Sequence, residues 1–202
     1  MDYSDFTIPQ LKQKFDIAID EETNLFGDVS AIELPATLTD ILRRYLPLAL
    51  NLNTEKARSE FIIAPLLAEF KLLHRDQLSL FSGIEFNIDE ASGLKGRCDY
   101  ILARSPKQLV LIAPICVLVE AKNENIIAGI PQCLAEMIAA QRFNSVNGIR
   151  PVDAVYGIVT TGSIWRFLRL EETAATVDSV EYAIQSPGKI FAILQQITLG
   201  NL

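Results

Sequence analysis

Three ionisable side chains lie at the polar ends of apolar segments, and they are the residues best suited to chemistry. Glu120 and Lys122 follow the apolar run Val117–Val119, and Asp99 precedes a second apolar run that begins at Tyr100. Side chains two residues apart on a strand project to the same face, so Glu120 and Lys122 share one pocket. If the strand that carries Asp99 lies beside them, two carboxylates and one ammonium meet. Such a set suits a divalent cation and phosphodiester hydrolysis.

The two carboxylates require a positive partner. At about 4 Å and an effective dielectric of about 20, they repel by roughly 4 kcal/mol. Both therefore stay ionised in a partly buried site only with positive charge between them. Mg²⁺ takes one or two carboxylates together with waters and phosphate oxygens, which matches Asp99 and Glu120. Lys122 would orient a water beside the ion or stabilise charge that builds on the phosphate. A solvated ion pair between Glu120 and Lys122 is the plainer alternative.

Composition sets limits on the class of protein. The 202 residues are 50% hydrophobic and 21% charged, which is typical of one globular domain with a large core. The net charge of −7 argues mildly against a nucleic-acid partner, because such proteins usually show a basic footprint. A bound divalent ion or a local basic patch can oppose that charge.

The remaining composition excludes several other kinds of site. The three cysteines, Cys98, Cys116 and Cys133, form no CxxC pair and lie in apolar runs, so we expect reduced core residues. The only histidine, His74, argues against a Ser-His-Asp triad or a histidine-rich metal site. The acidic start of the chain does not resemble a signal peptide, and no apolar run suits a membrane span. We therefore expect a cytoplasmic protein without membrane contact.

Hydrophobic periodicity predicts an α/β fold in which helices flank a mixed central sheet. No repeat or long linker divides the chain, so residues 1–202 are expected to form a single domain, with 1–35 as an N-terminal extension of no assigned role. Helices are predicted over Gln10–Phe15, from Thr37 to Pro47, from Thr54 onwards, over Ile126–Phe143 and over Gly188–Leu199. Strands are predicted over Leu78–Ile88, Leu94–Ala103, Val110–Ala121, Ala154–Thr160, Ser163–Leu170 and Val177–Ile184.

Two further polar residues complete a recognisable order of motifs. Glu60 shares a helical face with apolar residues, where a carboxylate is costly unless it is paired, and Lys56 or Arg58 is an ordinary partner for it. Gln132 lies early in the helix that follows the Glu120-Ala121-Lys122 triplet. With Asp99 between them, these residues resemble the PD-(D/E)xK nuclease superfamily, which is restriction-endonuclease-like in fold.

Two flanking segments make the resemblance more specific. Glu60-Phe61-Ile62-Ile63-Ala64-Pro65-Leu66-Leu67 resembles the first-helix motif of the N-terminal nuclease domain of type I restriction endonuclease subunits. The segment from Tyr156 to Phe167 is similar to the strand-turn-strand that follows the nuclease helix there. The resemblance covers residues 54–170, the expected nuclease core. It departs from the family pattern at Cys98, where a proline is usual, and at Glu136, where one branch has tyrosine.

The resemblance implies a Mg²⁺-dependent deoxyribonuclease, with Mn²⁺ able to substitute. By that resemblance Asp99 and Glu120 bind the metal, and Glu60 reaches it directly or through water. Lys122 positions the attacking water, and Gln132 steadies the site or contacts DNA. Many such nucleases act as symmetric homodimers, and nothing in the sequence identifies an interface. No GxxxxGK[ST] motif is present, so we expect a free-standing nuclease-like domain without a motor.

Two other interpretations stay open at this point. The chain is a non-catalytic module that keeps a nuclease-like fold for binding or assembly, or it is an acidic interaction protein in which the motifs coincide by chance. In the second case Asp99 and Glu120 would lie more than about 8 Å apart, too far to share one Mg²⁺.

Overall fold

A single mixed sheet organises the protein, with β4 near its centre. The computed structural model describes residues 1–149 and 154–200, and eight strands lie within them. Seven of the strands follow the spatial order β1-β7-β6-β5-β4-β3-β2, and β8 pairs with β6. The strands are β1 (Ala18–Asp20), β2 (Ser79–Glu85), β3 (Arg97–Ala103), β4 (Ile115–Ala121), β5 (Val155–Thr160), β6 (Ile164–Glu171), β7 (Ala174–Val177) and β8 (Tyr182–Ala183).

The pairing of the strands confirms the mixed α/β sheet predicted from the sequence. Strand β3 runs antiparallel to both β2 and β4, whereas β4 and β5 are parallel and are joined through a helix. Strands β5, β6 and β7 continue antiparallel, and β1 joins β7 in parallel at the far edge. The parallel β4–β5 pair places the carboxyl end of β4 next to the start of the connecting helix.

Helices cover both faces of the sheet. They are α1 (Ile8–Phe15), α2 (Ala36–Leu52), α3 (Glu55–Arg58), α4 (Ala64–Leu73), α5 (Ile126–Val146) and α6 (Pro187–Leu199), with a 3₁₀ turn at Tyr3–Asp5 and a π-helical turn at Ser59–Ile63. Among the residues that the structure describes, no helix is both long enough and apolar enough to cross a membrane.

Strand β4 is buried on both faces, and this explains why its sequence is almost entirely apolar. All seven of its residues are buried. Leu118 packs into one hydrophobic cluster with Leu134 of α5, while Val117 packs into the other with Leu66 of α4. The three free cysteines are buried in the same two clusters, as expected for reduced core residues.

Two glycines allow α5 to lie very close to the sheet. A Cβ atom on Gly129 would come within 2.6 Å of Val159 Cγ1, and one on Gly157 within 2.4 Å of the sulfur of Met137. Side chains at either position would therefore push the helix away from β4 and β5. The close approach brings the first turns of α5 over the end of β4.

The N-terminal extension, to which the sequence assigns no role, is part of the fold. The buried hydroxyl of Tyr3 donates a hydrogen bond to the carbonyl of Phe86 over 2.6 Å. Ile17 and Leu11 pack into the same cluster as α5, and β1 adds an edge strand.

Several predicted element bounds differ from the structure, and three of the differences have a clear physical reason. Helix α2 continues through Pro47, which is exposed, so the carbonyl that loses its helical partner can face water. Strand β4 begins at Ile115 rather than Val110, because Pro114 has no N–H for the ladder and Val110 lies in an exposed loop. The strand predicted over Val177–Ile184 is divided by the buried Asp178, whose carboxylate accepts bonds from the Val180 N–H and the Tyr182 hydroxyl.

Candidate functional site

Asp99 and Glu120 lie opposite each other at the ends of two neighbouring strands. The β3–β4 ladder ends at the pair Tyr100–Val119, and the next residue on each strand is one of the two acids. Facing positions on antiparallel neighbours place their Cβ atoms about 4.5–5.5 Å apart and their side chains on one face. This spacing is shorter than the separation of more than about 8 Å that a chance coincidence of motifs predicts.

The backbone of the triplet holds the Asp99 carboxyl in place. The N–H of Ala121 donates to Asp99 Oδ2 over 2.8 Å. On the other side of β4, the N–H of Lys122 donates to the carbonyl of Thr160 over 2.8 Å. Both strands that border the triplet thus fix its backbone, and the predicted position of Asp99 on an adjoining strand is observed.

Lys122 links the strand to the helix above it. Its ammonium forms an ion pair with Glu120 Oε1 and donates to Gln132 Oε1 over 3.1 Å. Gly129 leaves room for the side chain of Lys122, since a Cβ at position 129 would lie 3.1 Å from Cγ and 3.2 Å from Cε of Lys122. The structure therefore brings together Asp99, Glu120, Lys122 and Gln132, four of the five residues that the sequence predicts for the site.

A buried carboxyl on α5 belongs to the same network. The amide nitrogen of Gln132 donates to Glu136 Oε1 over 3.2 Å, and Glu136 has no exposed surface. In the sequence, Glu136 is notable only as a departure from the family pattern. The signal was nevertheless present, because it is the only charged residue in the otherwise apolar run Cys133–Ala140.

Burial dominates the acidity of the carboxylates. It raises the pKa of Glu120 from its ordinary 4.5 to about 7, helped by the negative charge of Asp99 and opposed by Lys122. Burial also raises the pKa of Asp99, although the Ala121 N–H and the charge of Lys122 act against it. The pKa of Glu136 is raised well above its usual range by burial and by Glu120. Burial therefore makes all three carboxyls harder to ionise than they are in water.

The ammonium of Lys122 responds to the same surroundings. Burial acts to lower its pKa, but the charge of Glu120 and the hydrogen bond to it outweigh burial, so the pKa is raised. Lys122 is therefore a protonated cation at neutral pH, with its side chain 24% exposed. It neutralises one of the two carboxylates and not both.

Glu60 lies apart from the other predicted site residues. Its side chain is 54% exposed and forms an ion pair with Lys56 at 3.4 Å. In the described part of the chain, no hydrogen bond or ion pair joins it to the other four. The prediction that Glu60 lies on the apolar face of its helix is wrong. The π-helical turn at Ser59–Ile63 adds a residue to the turn and rotates Glu60 towards solvent.

Glu55, the first residue of α3, acts on the site through its charge. Its charge contributes to the raised pKa values of both Glu120 and Lys122. Glu55 is exposed and five residues before Glu60. The order of motifs selects Glu60, and nothing in the sequence singles out Glu55.

The carboxylates present fit a divalent cation that keeps several waters. Glu120 Oε2 is buried and has no hydrogen-bond partner in the described part of the chain, so an acceptor is left for a cation. Within residues 1–149 and 154–200, no group of three or more His, Cys, Asp or Glu side chains could hold a metal ion. A site with two carboxylates suits Mg²⁺ or Mn²⁺ and does not suit a fully protein-coordinated Zn²⁺.

A cleft opens immediately beyond Lys122. It measures about 470 Å³ and is lined by the first turn of α5 and by the β5–β6 turn, including Asn123, Thr161 and Ser163. The two carboxylates do not line it. Its charged side chains are Arg58, Glu124 and Glu181, so it has no excess of positive charge.

Comparison with known proteins adds no family and no activity. No protein-family model matches this sequence. A search of curated proteins likewise finds no match.

Proposed function

We propose that this protein is a metal-dependent nuclease that hydrolyses DNA phosphodiester bonds. The observation that carries the proposal is the meeting of Asp99, Glu120 and Lys122 at adjacent strand ends, with a buried and unpartnered oxygen on Glu120. Two carboxylates and one ammonium are the groups needed to hold Mg²⁺ and to meet the charge of a phosphate. The resemblance to PD-(D/E)xK nucleases supports the same conclusion.

Each residue has a role that its surroundings allow. Asp99 and Glu120 would hold the cation, which when bound acidifies a water and offsets phosphate charge. The ammonium of Lys122 points into the same pocket and would hold the attacking water or a phosphate oxygen. Gln132 keeps that ammonium in place through its amide oxygen. Glu60 would contribute through solvent at most, since its side chain faces outwards.

One chain supplies all of the central side chains. Asp99, Glu120, Lys122 and Gln132 come from β3, the end of β4 and α5 of the same molecule. A homodimer, which the resemblance implies for cutting both strands, is therefore not needed to build the site. A single chain would be expected to nick one strand, and pairing of two chains would be expected to yield double-strand breaks.

The direct test is cleavage of supercoiled plasmid DNA with Mg²⁺ or Mn²⁺. We expect nicked or linear product from the wild-type protein and none from Glu120→Gln or Lys122→Met. Lys56→Met is the matched control, because Lys56 is an exposed lysine whose ion pair with Glu60 lies outside the network. Equal cleavage by the wild type and by both site variants would refute the proposal and identify a contaminating nuclease.

The surface charge favours a second candidate, a non-catalytic module that retains a nuclease-like fold. Three basic residues of the surface are already paired with carboxylates: Lys56 with Glu60, Lys95 with Glu90, and Arg97 with Glu85. Such pairing weakens attraction to a phosphate backbone. Calorimetric titration with Mn²⁺ separates the two candidates, because a nuclease must bind the ion and must lose binding in Asp99→Asn.

A further inference from the structure

Glu136 is a carboxyl group in a place where a carboxyl is costly. It is fully buried within α5, between helix residues that belong to the apolar cluster, Cys133 and Met137 among them. Its Oε2 has no hydrogen-bond partner among the residues that the structure describes. An unpartnered polar atom in the interior destabilises a fold by about 1–3 kcal/mol. The fold by itself would be better served by an apolar side chain at this position.

Glu136 and Lys122 together determine how the Gln132 amide is turned. Glu136 Oε1 accepts from the amide nitrogen of Gln132, and the amide oxygen consequently faces the ammonium of Lys122. The opposite rotamer would bring the amide NH₂ against an ammonium and a carbonyl oxygen against a carboxyl oxygen. Only one orientation therefore satisfies both neighbours.

We propose that Glu136 is a positioning residue, which acts through Gln132 to hold the ammonium of Lys122 at the candidate site. The chain of contacts runs Glu136 Oε1 to Gln132 Nε2 over 3.2 Å and Gln132 Oε1 to Lys122 Nζ over 3.1 Å. Gln132 gives Lys122 a neutral acceptor apart from Glu120. Lys122 thus keeps a partner when a cation takes the Glu120 carboxylate. This last step rests on the proposed nuclease function, but the positioning itself does not.

A structural role and a positioning role for Glu136 predict opposite effects of its substitution on the stability of the protein. If Glu136 supported the fold, Glu136→Met would lower the melting temperature. A positioning role at the expense of stability predicts a higher melting temperature, since the variant removes a buried carboxyl and fills the same volume. Glu136→Gln keeps an oxygen that can accept from Gln132 and is the conservative control.

The test is side-chain NMR of the protein without metal, in four variants. In Glu136→Met we expect the two Gln132 amide protons to shift towards the values of a solvated amide, and the Lys122 ammonium signal to broaden or disappear through faster exchange with water. In Glu136→Gln both signals should stay near their wild-type positions. In Gln132→Leu the Lys122 signal should be altered in the same way, and adding Glu136→Met to it should change nothing further.

Two results would overturn the positioning role. The first is an unchanged Lys122 signal in Glu136→Met, and the second is a further change when Glu136→Met is added to Gln132→Leu. Both readouts are independent of nuclease activity. If the protein cleaves DNA, Glu136→Met should also lower kcat by about 10-fold with KM unchanged, whereas Glu136→Gln should not. NMR effects as expected in a protein that cleaves no DNA would refute the nuclease proposal and leave the positioning role standing.

Discussion

The backbone N–H of Ala121 donates a hydrogen bond to Asp99 Oδ2 over 2.8 Å, just where the β3–β4 ladder ends. The side chain of Asp99 thus bonds to β4 at the point where the backbone pairing of β3 and β4 ends. The bond fixes the Asp99 carboxyl beside Glu120 before any cation is bound, which lowers the entropic cost of assembling the site.

A substitution can remove the charge of Asp99 and keep its hydrogen bond with the Ala121 N–H. Asp99→Asn keeps an oxygen for the Ala121 N–H, whereas Asp99→Ala leaves that N–H without its acceptor. We expect Asp99→Ala to be less stable than Asp99→Asn by about 1–3 kcal/mol in urea unfolding. Both variants should lose Mn²⁺ binding in calorimetry. Equal stability of the two variants would show that the hydrogen bond contributes nothing to the fold.

The ammonium of Lys122 supplies positive charge at the carboxylate where a cation would bind. Its ion pair with Glu120 competes with a metal for the same carboxylate. Lys122→Met should therefore bind Mn²⁺ more tightly at pH 8.5, by about 10-fold or more, while cleavage is lost. The surface variant Lys56→Met should leave the affinity unchanged. Weaker Mn²⁺ binding by Lys122→Met would mean that the lysine supports the ion rather than competing with it.

Stability should depend on pH through the buried Glu120. Its pKa of about 7 in the folded protein lies above its ordinary 4.5, so the folded state holds the proton more tightly. The resulting stability is complete below about pH 4.5 and is lost as the pH rises through 7, at about 1.4 kcal/mol per pKa unit. Melting temperatures measured from pH 4.5 to 8 should fall less in Glu120→Gln than in the wild type.

A cation should reverse this loss. At pH 8, Mg²⁺ in excess should raise the melting temperature of the wild-type protein, because it binds the folded state alone. Glu120→Gln should show little or no such rise.

The dependence on pH has its own contradicting outcome. If the melting temperature falls equally with rising pH in the wild type and in Glu120→Gln, Glu120 is not the cause of that fall.

Gly129 couples the packing of α5 to the site. A Cβ in Gly129→Ala would lie 2.6 Å from Val159 and 3.1 Å from Lys122 Cγ. We expect a loss of about 1–3 kcal/mol in the free energy of unfolding, together with a displaced Lys122 ammonium in side-chain NMR. Ile127→Ala, at an exposed neighbouring position, is the control and should change neither quantity.

Strand alternation and motif order located most of the site from the sequence. Glu120 and Lys122 share a face because β4 is a regular strand, and Gln132 reaches them because α5 begins a few residues later. Asp99 needed only the expectation that its strand lies beside β4. These relationships are local or involve adjacent strands, so patterns in the chain are sufficient to find them.

The misplaced residues depend on features that no local pattern carries. Glu60 faces solvent because of a π-helical turn, and the spacing of apolar residues predicted an ordinary helix there. The burial of Glu136 depends on how closely α5 packs on the sheet, which Gly129 and Gly157 allow through contacts between the helix and a later strand. The N-terminal extension was without a role in the sequence for the same reason, since Tyr3 meets its partner Phe86 across 83 residues.

The central claim, that Asp99 and Glu120 hold a divalent cation, is tested most directly by anomalous scattering from a crystal soaked in Mn²⁺. We expect one strong peak between the two carboxylates, at about 2.0–2.2 Å from an oxygen of each, with the Lys122 ammonium released from Glu120 and still bonded to Gln132. The peak should be missing from a crystal of Asp99→Asn treated in the same way. A wild-type crystal without a peak between Asp99 and Glu120, at an Mn²⁺ concentration that fills other sites, would contradict the account.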